Sequence, residues 1–216
     1  MEKIKAHCII VGAGTYGQVY AKYLSESYSV VGFIDDKAEL RGKIVDGIKV
    51  LGNIDFLYHY LENNKDTAVF VPIGNNPVRV KLLTQLNAKG YNTPSFIHKN
   101  TIIHNSVVFG KAVYILPASN IMPSTVVGDY VMISMGVNIA HHVTIANGCF
   151  FSQGANIGAS IEIGDNAYFG IASTVMTGIK SVGSNALIGA GTLIIKDVDD
   201  NAVMIGNPGK FLRNNN

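Results

Sequence analysis

From residue 97 onward an apolar residue returns at every sixth position: Ile97, Ile103, Phe109, Ile115, Ile121, Val127, Ile133, Ile139, Ile145, Phe151, Ile157, Ile163, Phe169 and Val175. Neither a helix nor an alternating strand has a period of six, and a fixed internal repeat outranks local propensity. The residue after each of these fourteen is Gly, Ala or Ser in nine cases, and the residue two before is usually small or β-branched, as at Ser119, Thr125, Val137, Ala155 and Ser173. A chain that turns a corner every six residues needs one inward apolar side chain per face and small residues where the backbone bends. The pattern therefore predicts a parallel β-helix with three flat faces and about five coils. One step of seven follows Val175, across TGIKSVG, before the register resumes at Val182, Ile188 and Ile194. It predicts a bulged corner or small loop.

Residues 1–95 have a different rhythm. KAHCIIVGAG reads as a buried strand and turn, TYGQVYAKYLSES as a helix, and YSVVGFIDD as a second strand ending in two acids. DGIKVLG, NIDFLYHYLENN, TAVFVPIG and NPVRVKLLTQLNAKG continue as strand, helix, strand and a helix closed by Gly90. Short strands separated by amphipathic helices predict a small, Rossmann-like parallel α/β sheet. The chain thus reads as two domains, 1–95 and 96–216.

Composition excludes several functions. The net charge is only +2 and the 17 Lys and Arg are scattered without an aromatic platform, so no nucleic-acid partner is expected. The apolar run in MEKIKAHCIIVGAG stops at a glycine turn after five residues, too short for a signal-peptide core or a membrane span. Cys8 and Cys149 form neither a CxxC pair nor a disulfide framework, which fits a reducing cytoplasm; Cys149, in the small inward column, reads as packing.

Within the repeat, VNIAHHVTIANG at 137–148 carries adjacent histidines. In the hexad register His141 and His142 fall two and three residues after inward Ile139, at a corner where side chains project outward. A core role is thereby disfavoured, leaving solvated surface or active site. Neighbours on one corner cannot readily chelate one ion together, and no further ligand is obvious, so no metal is expected.

GAGTYG at 12–17 follows a strand and opens a helix, with Asp35 and Asp36 ending the next strand. In that context the glycine loop favours a phosphate at the helix N-terminus and an acid on ribose or base. A dinucleotide needs a second mononucleotide half, and the α/β pattern stops near residue 95, so a smaller nucleotide is the economical ligand.

The hexapeptide pattern resembles the left-handed β-helix acyltransferases. With the N-terminal half, the chain resembles the bacterial sugar O-acyltransferase family, typified by sialic acid O-acetyltransferases and the N-acetyltransferases of nucleotide-linked amino sugars. The left hand of the helix, acetyl-coenzyme A as co-substrate and a homotrimer with sites between neighbouring subunits follow from this resemblance. It also implies that His141 is a general base, a role suited to an imidazole that accepts one proton near neutral pH. The family's usual acid after the base is here His142, expected to orient His141 or touch substrate. Some relatives have a donor-contacting histidine nine residues after the base, where this chain has Phe150. Ile171 and Ala190 fall where the family's backbone meets coenzyme A, and Lys210, in the tail IGNPGK, could pair with its phosphate. In the N-terminal domain the resemblance implies nucleotide-sugar contacts at Gly14, Thr15, Tyr16, Asp35, Asp36 and Gly74; Arg79, inside the following helix, reads equally as structural.

The expected reaction is acetylation of the amine of a nucleotide-linked 4-amino-4,6-dideoxy sugar for glycan or lipopolysaccharide assembly. Esterification of a sugar hydroxyl, as on sialic acid, is the nearest alternative. A non-catalytic nucleotide-sugar scaffold is favoured by the two departures at His142 and Phe150. An NAD-dependent oxidoreductase would rest on the glycine loop alone and leave the hexapeptides unexplained.

Overall fold

The computed structural model describes residues 5–215, and the chain divides into two compact units between Pro94 and Ser95.

The first unit runs β1 (Ala6–Val11), α1 (Thr15–Leu24), β2 (Tyr28–Ile34), β3 (Ile44–Val45), β4 (Ile48–Gly52), α2 (Ile54–Asn63), β5 (Ala68–Phe70) and α3 (Asn76–Ala88). The sheet order is β3-β4-β2-β1-β5. β5 and residues 8–11 of β1 are continuous apolar runs, with Cys8, Ile9, Ile10, Val69 and Phe70 inaccessible to solvent, as a parallel sheet covered on both faces requires. Tyr20, Ala21 and Leu24 form the buried stripe of α1. Asn53 caps α2 by accepting from the Phe56 N–H, and Asn75 caps α3 by accepting from Val78. Beyond α3, Gly90 takes φ +74° to end the helix.

The sheet is not wholly parallel, in contrast to the sequence reading. β3 pairs antiparallel with β4 across Asp46 (φ +48°) and Gly47 (φ +80°). Asp-Gly is the residue pair that a tight hairpin turn of this hand selects.

In the second unit the six-residue register holds. Two-residue strands end on each inward position, from Phe96–Ile97 to Leu193–Ile194, including Ser181–Val182 after the step of seven. Pairing is parallel and joins residues eighteen apart, as in Asn120↔Asn138 and Val126↔Thr144, until the longer step. The first face carries the strands at 96–97, 114–115 and onward, the second those at 102–103, 120–121 and onward, and the third those at 108–109, 126–127 and onward. The unit is thus a β-helix, left-handed in agreement with the solved structures described below. Its tail is a further strand pair: Ala202–Ile205 continues the first face and Lys210–Asn214 folds back antiparallel to it.

Three repeated devices hold the coils. The inward residues from Ile115 to Ile194 are at most 3% exposed and form one core; Phe151 and Phe169 stack at 4.6 Å within it. Second, the third residue after each inward one from Ile115 to Phe169 is left-handed: Ala118, Ser124, Tyr130, His142, Ser160, Asn166 and Ala172 all have φ between 53° and 63°, with Gly136, Gly148 and Gly154 at equivalent corners. Third, buried donors reach the carbonyl fifteen residues ahead, in Ser119 Oγ to Ser134 O (2.8 Å), Thr125 Oγ1 to Ala140 O (3.0 Å) and Cys149 Sγ to Gly164 O (3.1 Å). Each bond satisfies a polar group that would be expensive to bury alone.

Candidate active site

His141 and His142 are both exposed on the corner between the second and third faces. Their backbones are fixed by neighbouring coils: the His142 N–H donates to Pro123 O (3.1 Å) and His141 O accepts from the Ser160 N–H (3.0 Å). The left-handed conformation of His142 turns it against His141, so the rings meet edge to face at 87° with Nδ1 to Nδ1 at 3.0 Å. A hydrogen bond at this distance takes one proton, carried by whichever ring is the donor. With that proton on His141 and accepted by His142, the Nε2 of His141 carries the lone pair, which is the tautomer a base needs.

Beside this corner, on the second face, lies a cleft of about 380 Å³. Asn120, Asn138 and Asn156 form a ladder across it, Asn120 Nδ2 donating to Asn138 Oδ1 (2.8 Å) and Asn138 Nδ2 to Asn156 Oδ1 (2.9 Å). Met122 and Met176 stand at its two ends, while Ala140 and Gly158 keep it open between them. The sequence reading did not single out these residues. Their signal lay in the column following the inward residue, where Met, Ala, Gly and Met succeed one another.

Ile171 and Ala190 occupy the other corner of the second face, where it meets the first. Both are exposed, and the Ala190 corner sits on the Ile171 corner through the bond from Gly191 N–H to Ile171 O (2.8 Å). The C-terminal strand pair continues this corner, with exposed Lys210 opposite Ile205. The structure thus gathers Ile171, Ala190 and Lys210 on one edge of the β-helix and the two histidines on another. Phe150 joins neither group: it lies outward on the first face, 1% exposed, and stacks on Tyr168 at 5.1 Å.

The glycine loop lies at the switch point of the first unit. The chain leaves β1 toward β2 on one side while β5 lies on the other, which opens a crevice at their C-terminal ends. A cavity of about 290 Å³ there is lined by Gly12, Gly14, Thr15, Tyr16, Gly17, Asp35, Pro72, Ile73 and Gly74. A second, of about 180 Å³, shares Gly12, Asp35 and Ile73 and adds Asp36, Ile54, Val78 and Leu82. Together they form one groove with two lobes: a polar one at the glycine loop, where the leading backbone N–H groups of α1 face it, and an apolar-walled one beside the side chains of Ile54, Val78 and Leu82. Five of the six anticipated residues line the polar lobe, and Asp36 lines the other. The apolar walls Ile54, Val78 and Leu82 were missed; nothing distinguishes them in sequence from ordinary helix positions facing the core.

The polar lobe suits an anion. α1 begins at Gly14 with no side-chain cap and no acid in its first turn, so its leading N–H groups face the groove with the positive end of the helix dipole. A Cβ on Gly14 would meet nothing within 4 Å, whereas one on Gly17 would collide with Gly12 O. The acids also hold the loop together. Asp35 accepts from the Ala13 N–H (2.9 Å) and the Lys37 N–H (3.0 Å), and Asp36 accepts from the Ile54 N–H (3.0 Å) at the start of α2.

Neither cysteine offers a nucleophile. Cys8 is buried in β1, and burial pushes its thiol up to about 12; Cys149 is buried with its sulfur on Gly164 O. Among the described residues, no group of three or more His, Cys, Asp or Glu could hold a metal ion, and no helix is long and apolar enough to cross a membrane.

Fold and sites together define a class of architecture: a glycine-loop α/β domain followed by a hexapeptide β-helix with a histidine-bearing corner. Residues 7–86 match the family model described as the PglD N-terminal domain. No curated protein matches the chain by sequence. Among solved structures, the acetyltransferase domain of PglB from Neisseria gonorrhoeae in complex with acetyl coenzyme A is similar over 96% of this chain and 100% of that one, with 23% identity and a TM-score of 0.86. PerB from Caulobacter crescentus, in complex with CoA and GDP-perosamine, is similar over 96% and 98%, with 24% identity and a TM-score of 0.85. WeeI from Acinetobacter baumannii is similar over 96% and 100%, with 24% identity and a TM-score of 0.86. At these identities the likeness establishes the fold of the whole chain.

Proposed function

We propose that this chain is an acetyl-coenzyme A-dependent acetyltransferase that acetylates the amine of a nucleotide-linked 4-amino-4,6-dideoxy sugar. The observation that carries the reading is His141, exposed on its corner and tied through Nδ1 to His142 at 3.0 Å. Neutral His142 accepts the Nδ1 proton, and the Nε2 of His141 takes one proton from the sugar amine as its nitrogen attacks the thioester carbonyl. The tetrahedral oxyanion, held by backbone N–H groups, collapses and expels coenzyme A as its thiolate. The His141 imidazolium then protonates that sulfur and returns to its starting state. His142 supplies orientation without a fixed negative charge.

The nucleotide occupies the groove of the first unit: diphosphate at the glycine loop, base in the apolar lobe, with Gly14, Thr15, Tyr16, Asp35, Asp36 and Gly74 as contacts. The donor lies along the corner of Ile171 and Ala190, with its phosphates at Lys210; Phe150 packs and makes no donor contact. The Caulobacter enzyme, a perosamine N-acetyltransferase by name and bound to CoA and GDP-perosamine, supports amine as acceptor.

The proposed base and donor residues lie on different corners of the β-helix, which supports a site completed by a second copy of the chain. A cytoplasmic homotrimer serving glycan or lipopolysaccharide assembly is the assembly we propose. Light scattering should give three times the 23.1 kDa chain mass; a fully active monomer contradicts the shared site. A thiol-release assay across uridine-, thymidine- and guanosine-linked 4-amino sugars tests the activity. Release with none of them, with coenzyme A still bound, contradicts it.

A further inference from the structure

Arg79 lies in the first turn of α3 and is inaccessible to solvent. Its guanidinium donates through one terminal nitrogen to Ile73 O (2.7 Å) and through the other to Asn76 Oδ1 (2.8 Å). Ile73 lies in the turn that joins β5 to α3, and Asn76 is the first residue of α3. Ile73 lines both lobes of the groove, and Gly74 lines the polar lobe. The turn is fixed at two further points: Ile73 N–H donates to Val71 O (2.8 Å) and Asn75 caps the helix, while Asn76 itself is 5% exposed.

Burying a cation costs several kcal/mol, and the first turn of a helix already carries positive potential from the backbone dipole. A leucine or methionine would fill this place without either cost. A buried cation at this turn is favoured further when the turn faces an anion. Two helix N-termini, neither with an acid in its first turn, and one permanent charge then act on the same groove.

Resting on the nucleotide-sugar reading, we infer that Arg79 is a positioning residue for the nucleotide diphosphate: its bonds to Ile73 and Asn76 set the Ile73–Gly74 wall of the groove, and its buried charge biases that wall toward anions. A guanidinium does this through two nitrogens at fixed spacing, which a lysine ammonium cannot reproduce.

Calorimetric titration of the full chain with uridine, thymidine and guanosine diphosphates, and separately with coenzyme A, tests the inference. For the diphosphate bound most tightly by the wild type, Arg79→Met should weaken binding about tenfold or more, the range for one charged hydrogen bond. Arg79→Lys, which keeps the charge and loses the two-point hold, should recover only part of that loss. Coenzyme A affinity should stay within twofold in both. In turnover, the KM for nucleotide-sugar should rise while kcat at saturation stays within twofold. Asn76→Ala, which removes one acceptor and leaves Arg79, should weaken the diphosphate several-fold, and it decides the matter if the Arg79 variants do not fold. Diphosphate binding within twofold of wild type in folded Arg79→Met, or in Asn76→Ala should it be needed, overturns the inference alone. A wild type that binds coenzyme A and none of the three diphosphates overturns the nucleotide-sugar reading with it.

Discussion

At Gly158 and Gly164 of the β-helix, glycine follows the inward residue because the next coil leaves no room for a side chain: a Cβ on Gly158 would lie 2.4 Å from Thr177 N, and one on Gly164 2.4 Å from Ser184 N. Gly14 in the α/β domain is a different case. Its φ is −69°, which any residue adopts, and a Cβ there would meet nothing within 4 Å. The first kind of glycine is fixed by packing that recurs coil after coil. The second borders space that the fold leaves empty at a helix N-terminus. Comparing the two teaches that the β-helix is stabilised by a repeated rule, while the groove of the α/β domain depends on contacts made once: Asp35 on Ala13, Asp36 on Ile54, Arg79 on Ile73.

That contrast can be broken or sharpened by substitution. The largest effect is expected where the β-helix departs from its rule to place chemistry at a corner: His141→Ala should lower kcat by roughly 10² to 10⁴, the range for losing a general base. His142→Ala should cost about tenfold, since an orienting group assists the base without replacing it. Steady-state rates decide the order, and a larger loss at His142 would reverse the two roles. Next, Gly164→Val should destabilise the fold by about 3 kcal/mol through overpacking, read from denaturant midpoints, while Gly14→Ala should change stability by less than about 0.5 kcal/mol. The same Gly14→Ala should raise the KM for nucleotide-sugar, because its methyl group enters the polar lobe. Equal stability losses for both glycines would erase the distinction drawn above.

Asp36→Ala should raise the nucleotide-sugar KM about tenfold and leave that for acetyl-coenzyme A unchanged. Because Asp36 also holds the start of α2, a loss of about 1 kcal/mol in stability should accompany it. Equal damage to both KM values would make the α/β domain a structural support. The smallest effect belongs to the corners: Ala118→Gly, at φ +62°, should stabilise by about 0.5 kcal/mol, since relief of left-handed strain exceeds the added chain entropy. A destabilisation would show that the side chain at this corner packs.

The β-helix was legible because its core signal repeats fourteen times, so no single residue had to be read correctly. The left-handed corner column was harder to see, since Ala, Ser, Tyr, His, Asn and Gly share it and the backbone alone unites them. In the α/β domain the glycine loop and the acids were legible as a motif, with element boundaries close to those found. The β3–β4 hairpin was overlooked although Asp46-Gly47 marks it. The structural work of Asp35 and Asp36 was not legible, because their partners are backbone N–H groups brought together by the fold from 18 to 22 residues away. Only the family resemblance pointed Phe150 to the donor site; its burial and its stack on Tyr168 depend on packing that register alone does not reveal.

The central claim is that one chain joins a nucleotide-sugar and an acetyl donor through transfer to nitrogen. The direct measurement is mass spectrometry of the nucleotide-sugar after incubation of the wild-type protein with acetyl-coenzyme A and matched 4-amino and 4-hydroxy acceptors, with hydroxylamine treatment to cleave esters. One acetyl group on the 4-amino acceptor, resistant to hydroxylamine and formed one for one with free coenzyme A, is the expected result. Acetylation of the hydroxy acceptor alone, as a hydroxylamine-labile ester, or no acetylated product from either, would contradict it.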